Sequence, residues 1–158
     1  MSTRGAIGFR FNGTDKIAYN RWDSYPDGLG MSLIEWLKDK TIDELKDECE
    51  DIVLVDDCRN IAWDGNGFNQ EFQDAKDFLF DSLFCEYAYI INLDSNMLEF
   101  YTGFNNDENA PGRYAKCLNP CELSDGSFLY GVKLVLEIPL NEVIEGKWST
   151  NETGFVKL

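Results

Sequence analysis

Asn12-Gly13 constrains this chain more than any other pair of residues in it, because it sits between a β-like run from Thr3 to Phe11 and a second run from Lys16 to Arg21. Both residues tolerate the positive φ that a two-residue hairpin turn demands. The chain therefore opens as a β-hairpin. A second hairpin is expected from Glu86 to Leu93 and Met97 to Thr102 about Asp94-Ser95-Asn96, and Phe128 to Ile138 reads as one long final strand with a bulge at Gly131. Ile52 to Val55 is a short β-branched strand, expected to be covered on both faces or to form a buried edge.

Helices are expected between these strands. Met31 to Lys38 places Leu33, Ile34 and Leu37 on one face. Thr41-Ile42-Asp43-Glu44 is a capping box, in which the Thr hydroxyl and the Glu carboxylate each satisfy a free amide, and the helix it starts runs to about Glu50, burying Ile42, Leu45 and Cys49. Phe72, Ala75, Phe78, Leu79 and Leu83 recur at helical spacing between Gln70 and Phe84, the strongest helical pattern in the chain. Residues 103–127 are loop-rich, with Arg113 to Cys117 as a short strand. Hairpins with helices between them predict an α+β fold: an antiparallel sheet built from hairpins, with the helices packed on one face, in a single domain over 1–158.

Composition narrows the function. A chain of 158 residues buries roughly 70% of its unfolded surface, enough for a core without staples. Its 29 acidic residues outnumber 14 basic ones for a net charge of −15, which repels nucleic-acid phosphates and anionic membranes. Direct binding to nucleic acid or membrane is therefore not expected. With 44% hydrophobic residues the charge must decorate a folded body. No membrane-length apolar run or basic-then-apolar leader is evident, so a cytoplasmic location is expected. The five cysteines, Cys49, Cys58, Cys85, Cys117 and Cys121, are odd in number and lack zinc-finger spacing, and Pro120 argues against Cys117 and Cys121 sharing a helical face. Reduced thiols and no metal or cofactor are the expectation. The chain has no His, which excludes any imidazole mechanism.

Thr3-Arg4-Gly5-Ala6-Ile7-Gly8-Phe9, followed by Tyr19-Asn20-Arg21-Trp22-Asp23-Ser24-Tyr25-Pro26-Asp27-Gly28-Leu29-Gly30, resembles the signature of a family of short phage and bacterial proteins of unassigned function. Those proteins begin Met-x-Thr-Arg-Gly and continue into Tyr-Asn-His-x-Asp-Ser-Tyr-Pro-x-Gly-Leu-Gly. Here Arg21 stands where the His is usual. The resemblance covers about the first thirty residues and implies a small α+β protein carried by mobile elements.

Several constellations carry chemistry in principle. Removal of Met1 would expose Ser2 as an N-terminal nucleophile, with Arg21 and Asp23 loosely matching the Arg and Asp of bile-salt-hydrolase-like enzymes. Asp56-Asp57 at a strand end, with Asp64 and Asp23, could hold magnesium, although paired acids in so acidic a chain are ordinarily solvated. Asp64-Gly65-Asn66-Gly67 lacks the closing Glu of a calcium loop. Arg4 and Asp23 are expected to form a structural ion pair across the first hairpin, and Trp22 and Tyr25 either plug the core or present a binding face. Asp43, Glu44, Asp47, Glu48, Asp51, Asp56 and Asp57 form a concentrated acidic stretch suited to a basic groove on a protein partner. The leading expectation is thus a non-enzymatic acidic binding protein of a phage or mobile element. It would inhibit a host defence protein such as a CRISPR effector or nuclease, by occupying a surface meant for nucleic acid. The alternatives are a small amidohydrolase using Ser2 and a binder of a small nucleotide signal. Oligomeric state is left open.

Overall fold

The computed structural model describes residues 3–57 and 60–158. The first hairpin forms where its turn places it, with β1 (Gly5–Phe11) and β2 (Thr14–Asn20) paired antiparallel from Gly5↔Asn20 to Phe11↔Thr14. Asn12 and Gly13 have φ of 54° and 72°, the positive values that a type I′ turn needs. One wide turn over Pro26–Gly30 leads directly into α1 (Met31–Leu37), and α2 (Ile42–Asp51) follows. The capping box is complete, since the Glu44 amide donates to Thr41 Oγ1 and the Thr41 amide to Glu44 Oε1, each at 3.1 Å. Thr41→Ala is expected to cost about 1 kcal/mol through a lost cap, read as a lower urea midpoint at unchanged slope.

Beyond α2, β3 (Val53–Val55) pairs in parallel with β4 (Glu71–Gln73) in a separate two-stranded ribbon. Val53 is 57% exposed, so the strand is not covered on both faces as expected. The helix expected over Gln70 to Phe84 is absent. That segment forms β4, a short 3-10 turn (Lys76–Phe80) and further turns. The reason is visible at the sheet edge. Asp74 Oδ1 accepts from the Ile17 amide at 3.1 Å and the Ala75 amide donates to the Ile17 carbonyl at 2.8 Å, so the chain clasps the open side of β2 and passes around it. Phe72 joins the core on one face of the sheet and Leu79 the core on the other. Their helical spacing serves two cores, not one.

The second hairpin, β5 (Tyr87–Asn92) and β6 (Met97–Thr102), forms as expected. Its turn residue Asp94 accepts from the Asn12 and Gly13 amides at 2.7 and 2.9 Å, locking the two hairpin tips together. Those two donors hold the Asp94 carboxyl below its ordinary range. After β7 (Cys121–Glu122) and β8 (Phe128–Leu129), β9 (Lys133–Pro139) completes a five-stranded sheet of order β2-β1-β5-β6-β9. The α+β class holds, with a mixed sheet: β1 and β5 run parallel and the other pairs antiparallel. Arg113 to Cys117 forms turns, and the expected strand over Phe128 to Ile138 is interrupted at Gly131, where a Cβ would lie 1.5 Å from the Tyr114 carbonyl oxygen. The bulge falls instead opposite Phe100 and Tyr101. The short α3 (Leu140–Ile144) and the hairpin of β10 (Trp148–Thr150) with β11 (Phe155–Lys157) end the chain.

Alternation along the strands fills both faces. Ile7, Phe9, Tyr89, Ile91, Leu98 and Phe100 meet Leu33, Leu37, Leu45 and Val143 of the three helices. Ala6, Ala88, Ile90 and Tyr101 meet Leu79, Cys85, Tyr114 and Val132 from irregular segments on the opposite side. One face carries the helices; loops cover the other.

Candidate functional site

The signature loop is fastened to the sheet by its own unusual residues. Tyr89, fully buried, donates its hydroxyl to the Ser24 carbonyl at 2.8 Å, and Asn20 Nδ2 donates to the Ser24 hydroxyl at 2.8 Å and to the Trp22 carbonyl. The Leu29 amide closes on the Asp23 carbonyl at 2.9 Å. Gly28 and Gly30 permit this closure, because added Cβ atoms would stand 2.4 Å from the Asp23 carbonyl oxygen and 3.1 Å from the Tyr89 ring. Asp23 holds its place through its backbone, and the expected Arg4–Asp23 ion pair is not formed among the described residues. Arg4 lies over the Phe84 ring, 5.2 Å from its centroid, with its amide bonded to Glu86 Oε2 at 3.1 Å. Trp22 is 67% and Tyr25 41% exposed, so neither plugs the core. Arg21 is exposed as well. Ser2 and Cys58 lie outside the described residues.

The acidic stretch follows a different logic. Asp43, Glu44, Asp47, Glu50 and Asp51 of α2 are exposed and Glu48 half-buried, with Asp56 and Asp57 exposed just beyond β3. Carboxylates in the first turn suit the helix dipole, while those in the last turn oppose it. Lys16 answers that opposition from β2: its Nζ donates to the Cys49 and Ile52 carbonyls, each at 2.6 Å, at the C-terminal end of the helix. Burial raises the adjacent Cys49 thiol to about 11, with the Lys16 ammonium pulling the other way. Lys46 lies over the Phe11 ring, 5.8 Å from its centroid. Lys16 and Lys46 are thus both engaged with the protein itself. Trp22 and Tyr25 follow the far end of β2 from Lys16, so the structure does not bring the two groups of expected site residues together. Asp64 accepts from the Asn66 amide at 2.8 Å in a local turn, and no cluster of metal-ligating side chains occurs among the described residues.

Sequence reasoning missed the densest polar constellation. Glu99 on β6, 2% exposed at its side chain, receives both Nη1 and Nη2 of Arg113 at 2.7 Å, the Asn92 amide nitrogen at 3.1 Å and the Tyr101 hydroxyl at 2.9 Å. Arg113 Nη2 also donates to the Tyr114 hydroxyl at 3.1 Å, which donates to Asp15 Oδ2 at 3.0 Å, and Asp15 Oδ1 pairs with Arg10 at 3.0 Å. Burial disfavours the Glu99 charge, but the donors from Arg113, Asn92 and Tyr101 win and hold its carboxyl below the ordinary range. Burial pushes the Tyr114 phenol up to about 12. The two-residue period of β6 places Glu99 and Tyr101 on one face. That was the available signal, though alternation alone reads such a Glu as solvated.

This network ties Arg113 and Tyr114, in the irregular segment, to β2 and β6. The same segment forms one wall of a cleft of about 640 Å³, whose other wall is the stretch from Asp77 to Phe84. Apolar side chains of Phe80, Leu83, Phe84, Leu118 and Leu129 line it, with Asp77 and Asp81 on one wall and Lys116, Cys117 and Cys121 on the other. Phe80 packs edge-on against Tyr114 at 5.7 Å, linking cleft to network. No helix among the described residues is long and apolar enough to cross a membrane. Compared with protein-family models, with curated proteins and with solved structures, the chain matches none.

Proposed function

We propose that this is a non-catalytic binding protein of a phage or mobile element, whose acidic α2 face and Asp56–Asp57 corner occupy a basic groove of a host defence protein, of the nuclease or CRISPR effector kind. The observation that carries the reading is the arrangement around α2. Five of its carboxylate residues are exposed while Lys16 and Lys46 are turned to internal tasks, on the helix end and on Phe11. A face whose carboxylates stay exposed while Lys16 and Lys46 are engaged elsewhere presents a negative field to a partner. A groove that binds phosphates by charge accepts carboxylates in rows for the same reason. The mobile-element origin rests on the resemblance of the opening thirty residues to phage and bacterial proteins.

The test is kinetic. A partner captured from bacterial lysate is immobilised, and association is followed at low and physiological salt for the native protein and for the triple variant Asp47→Asn, Glu48→Gln, Asp51→Asn. Electrostatic steering raises on-rates by about 10 to 1000-fold, so the triple variant is expected to associate at least about tenfold more slowly, with its melting temperature retained. The captured nuclease should also recover DNA cleavage in the presence of the variant. On-rates indifferent to both salt and substitution would overturn the reading and leave Trp22 and Tyr25 as the contact.

A further inference from the structure

The cleft on the loop-covered face lies across the sheet from α2 and is independent of the acidic helix. Its size falls within the range of small-molecule sites, roughly 300 to 1000 Å³. It is also preformed. The Ser82 amide bonds the Tyr130 carbonyl at 3.1 Å and the Val132 amide the Leu79 carbonyl at 2.9 Å, so the 77–84 wall is tied to the segment that follows the other wall by backbone bonds as well as by the Phe80–Tyr114 contact, while the Cys85 amide bonds the Asp81 carbonyl at 2.9 Å within the first wall. Yet its apolar lining is left open: Leu118 is 98% and Phe84 48% exposed. A built cavity that keeps apolar side chains in water, with a few convergent charges, has the composition of a ligand site.

We propose that this cleft binds a small organic cation with an apolar body, the ammonium held by Asp77 and Asp81 and the body lying against Phe80, Leu83, Leu118 and Leu129. The charge pattern selects the sign. Two carboxylates and one lysine line the cleft, and none of the three is in an ion pair among the described residues. Burial raises the Cys117 thiol, backbone donors oppose that rise, and the charge of Asp81 on the opposite wall adds to it in the smallest measure. Arg4 over Phe84 is an internal instance of the same chemistry, a cation seated on a ring of this lining. Hydrophobic contact supplies affinity, and the carboxylates fix orientation.

Cys117 and Cys121 provide the readout, because both line the cleft while Cys49 and Cys85 are buried. Iodoacetamide alkylation of the Cys58→Ser protein is followed by peptide mass spectrometry with 4-phenylbutylamine, the neutral 4-phenylbutanol or the anionic 4-phenylbutyrate as probe. The amine should slow alkylation of both cysteines saturably, by about threefold at twice its dissociation constant, with amide NMR shifts confined to 77–84 and 116–129. The alcohol should protect weakly and the acid least. Asp77→Asn with Asp81→Asn should remove the preference of amine over alcohol, and the carboxamide introduced by the second substitution would retain an oxygen to accept the Phe84 amide, which Asp81 Oδ1 accepts at 3.4 Å. Protection by the acid equal to that by the amine, no protection by any probe, or an amine preference that survives the double substitution would each overturn the proposal.

Discussion

Glu99→Ala is expected to lower stability by about 3 to 5 kcal/mol, the cost of removing one partner from a buried ion pair. The size follows from what stays behind. Arg113 would keep its charge with the carboxylate gone, and the Asn92 amide and Tyr101 hydroxyl would lose their acceptor in the same step. Arg113→Ala leaves the converse, a carboxylate 2% exposed with only neutral donors. The double variant should therefore lose less than the sum of the two single losses. Linkage gives the pH signature. The folded carboxyl titrates below its ordinary value of 4.5, so its contribution is fully present above that value and is lost as pH falls through the depressed one. Urea unfolding at neutral and acidic pH should accordingly show Glu99→Gln with a shallower acid dependence than the native protein. A Glu99→Ala loss below about 1 kcal/mol would mean that the network is dispensable.

What was legible in the sequence was local. Asn12-Gly13, the Thr41 to Glu44 capping box and the Asp94 turn each depend on residues within a few positions of one another, and each formed as read. The exposure of the α2 carboxylates was legible for the same reason, since amphipathic spacing already assigned Leu45 and Cys49 to the core. The failures all involve distant partners. The parallel pairing of β1 with β5 joins Gly5 to Tyr87, a choice no local pattern encodes. Phe72 and Leu79 mimic a helix because their spacing suits one, but the bonds from Asp74 and Ala75 to Ile17 carry the chain around the sheet edge between them. Glu99 reads as a surface residue until Arg113, fourteen positions later, arrives as its counter-ion. Arg4 and Asp23 were expected to pair across one hairpin, yet the Arg4 guanidinium lies over the ring of Phe84, from a distant part of the chain. The candidate cleft was illegible for the same cause: its walls come from 77–84 and 116–129, and neither carries a pattern alone.

Gly131 is where that long-range construction is least forgiving, and Gly131→Ala is expected to cost about 3 kcal/mol or more, at the upper end of overpacking. A Cβ there would stand 1.5 Å from the Tyr114 carbonyl oxygen and 2.6 Å from its carbon. Both obstacles are backbone, so no rotamer change relieves them. The surroundings are also committed: the Gly131 amide donates to the Ala115 carbonyl at 3.0 Å, and its carbonyl accepts from the buried Asn105 side chain at 2.9 Å. The segment bearing Arg113 and Tyr114 would have to move away from β9, loosening the network and the cleft wall together. Gly13→Ala separates this steric effect from simple glycine flexibility, because nothing lies within 4 Å of a Cβ at Gly13 and only its φ of 72° is unfavourable. That variant should lose about 1 to 2 kcal/mol. Iodoacetamide should alkylate Cys117 faster in Gly131→Ala than in the native protein or in Gly13→Ala, since only the first substitution displaces the wall that Cys117 belongs to. Equal stability losses for the two alanine variants would show that the approach of Tyr114 to Gly131 does not hold the loop-covered face in place.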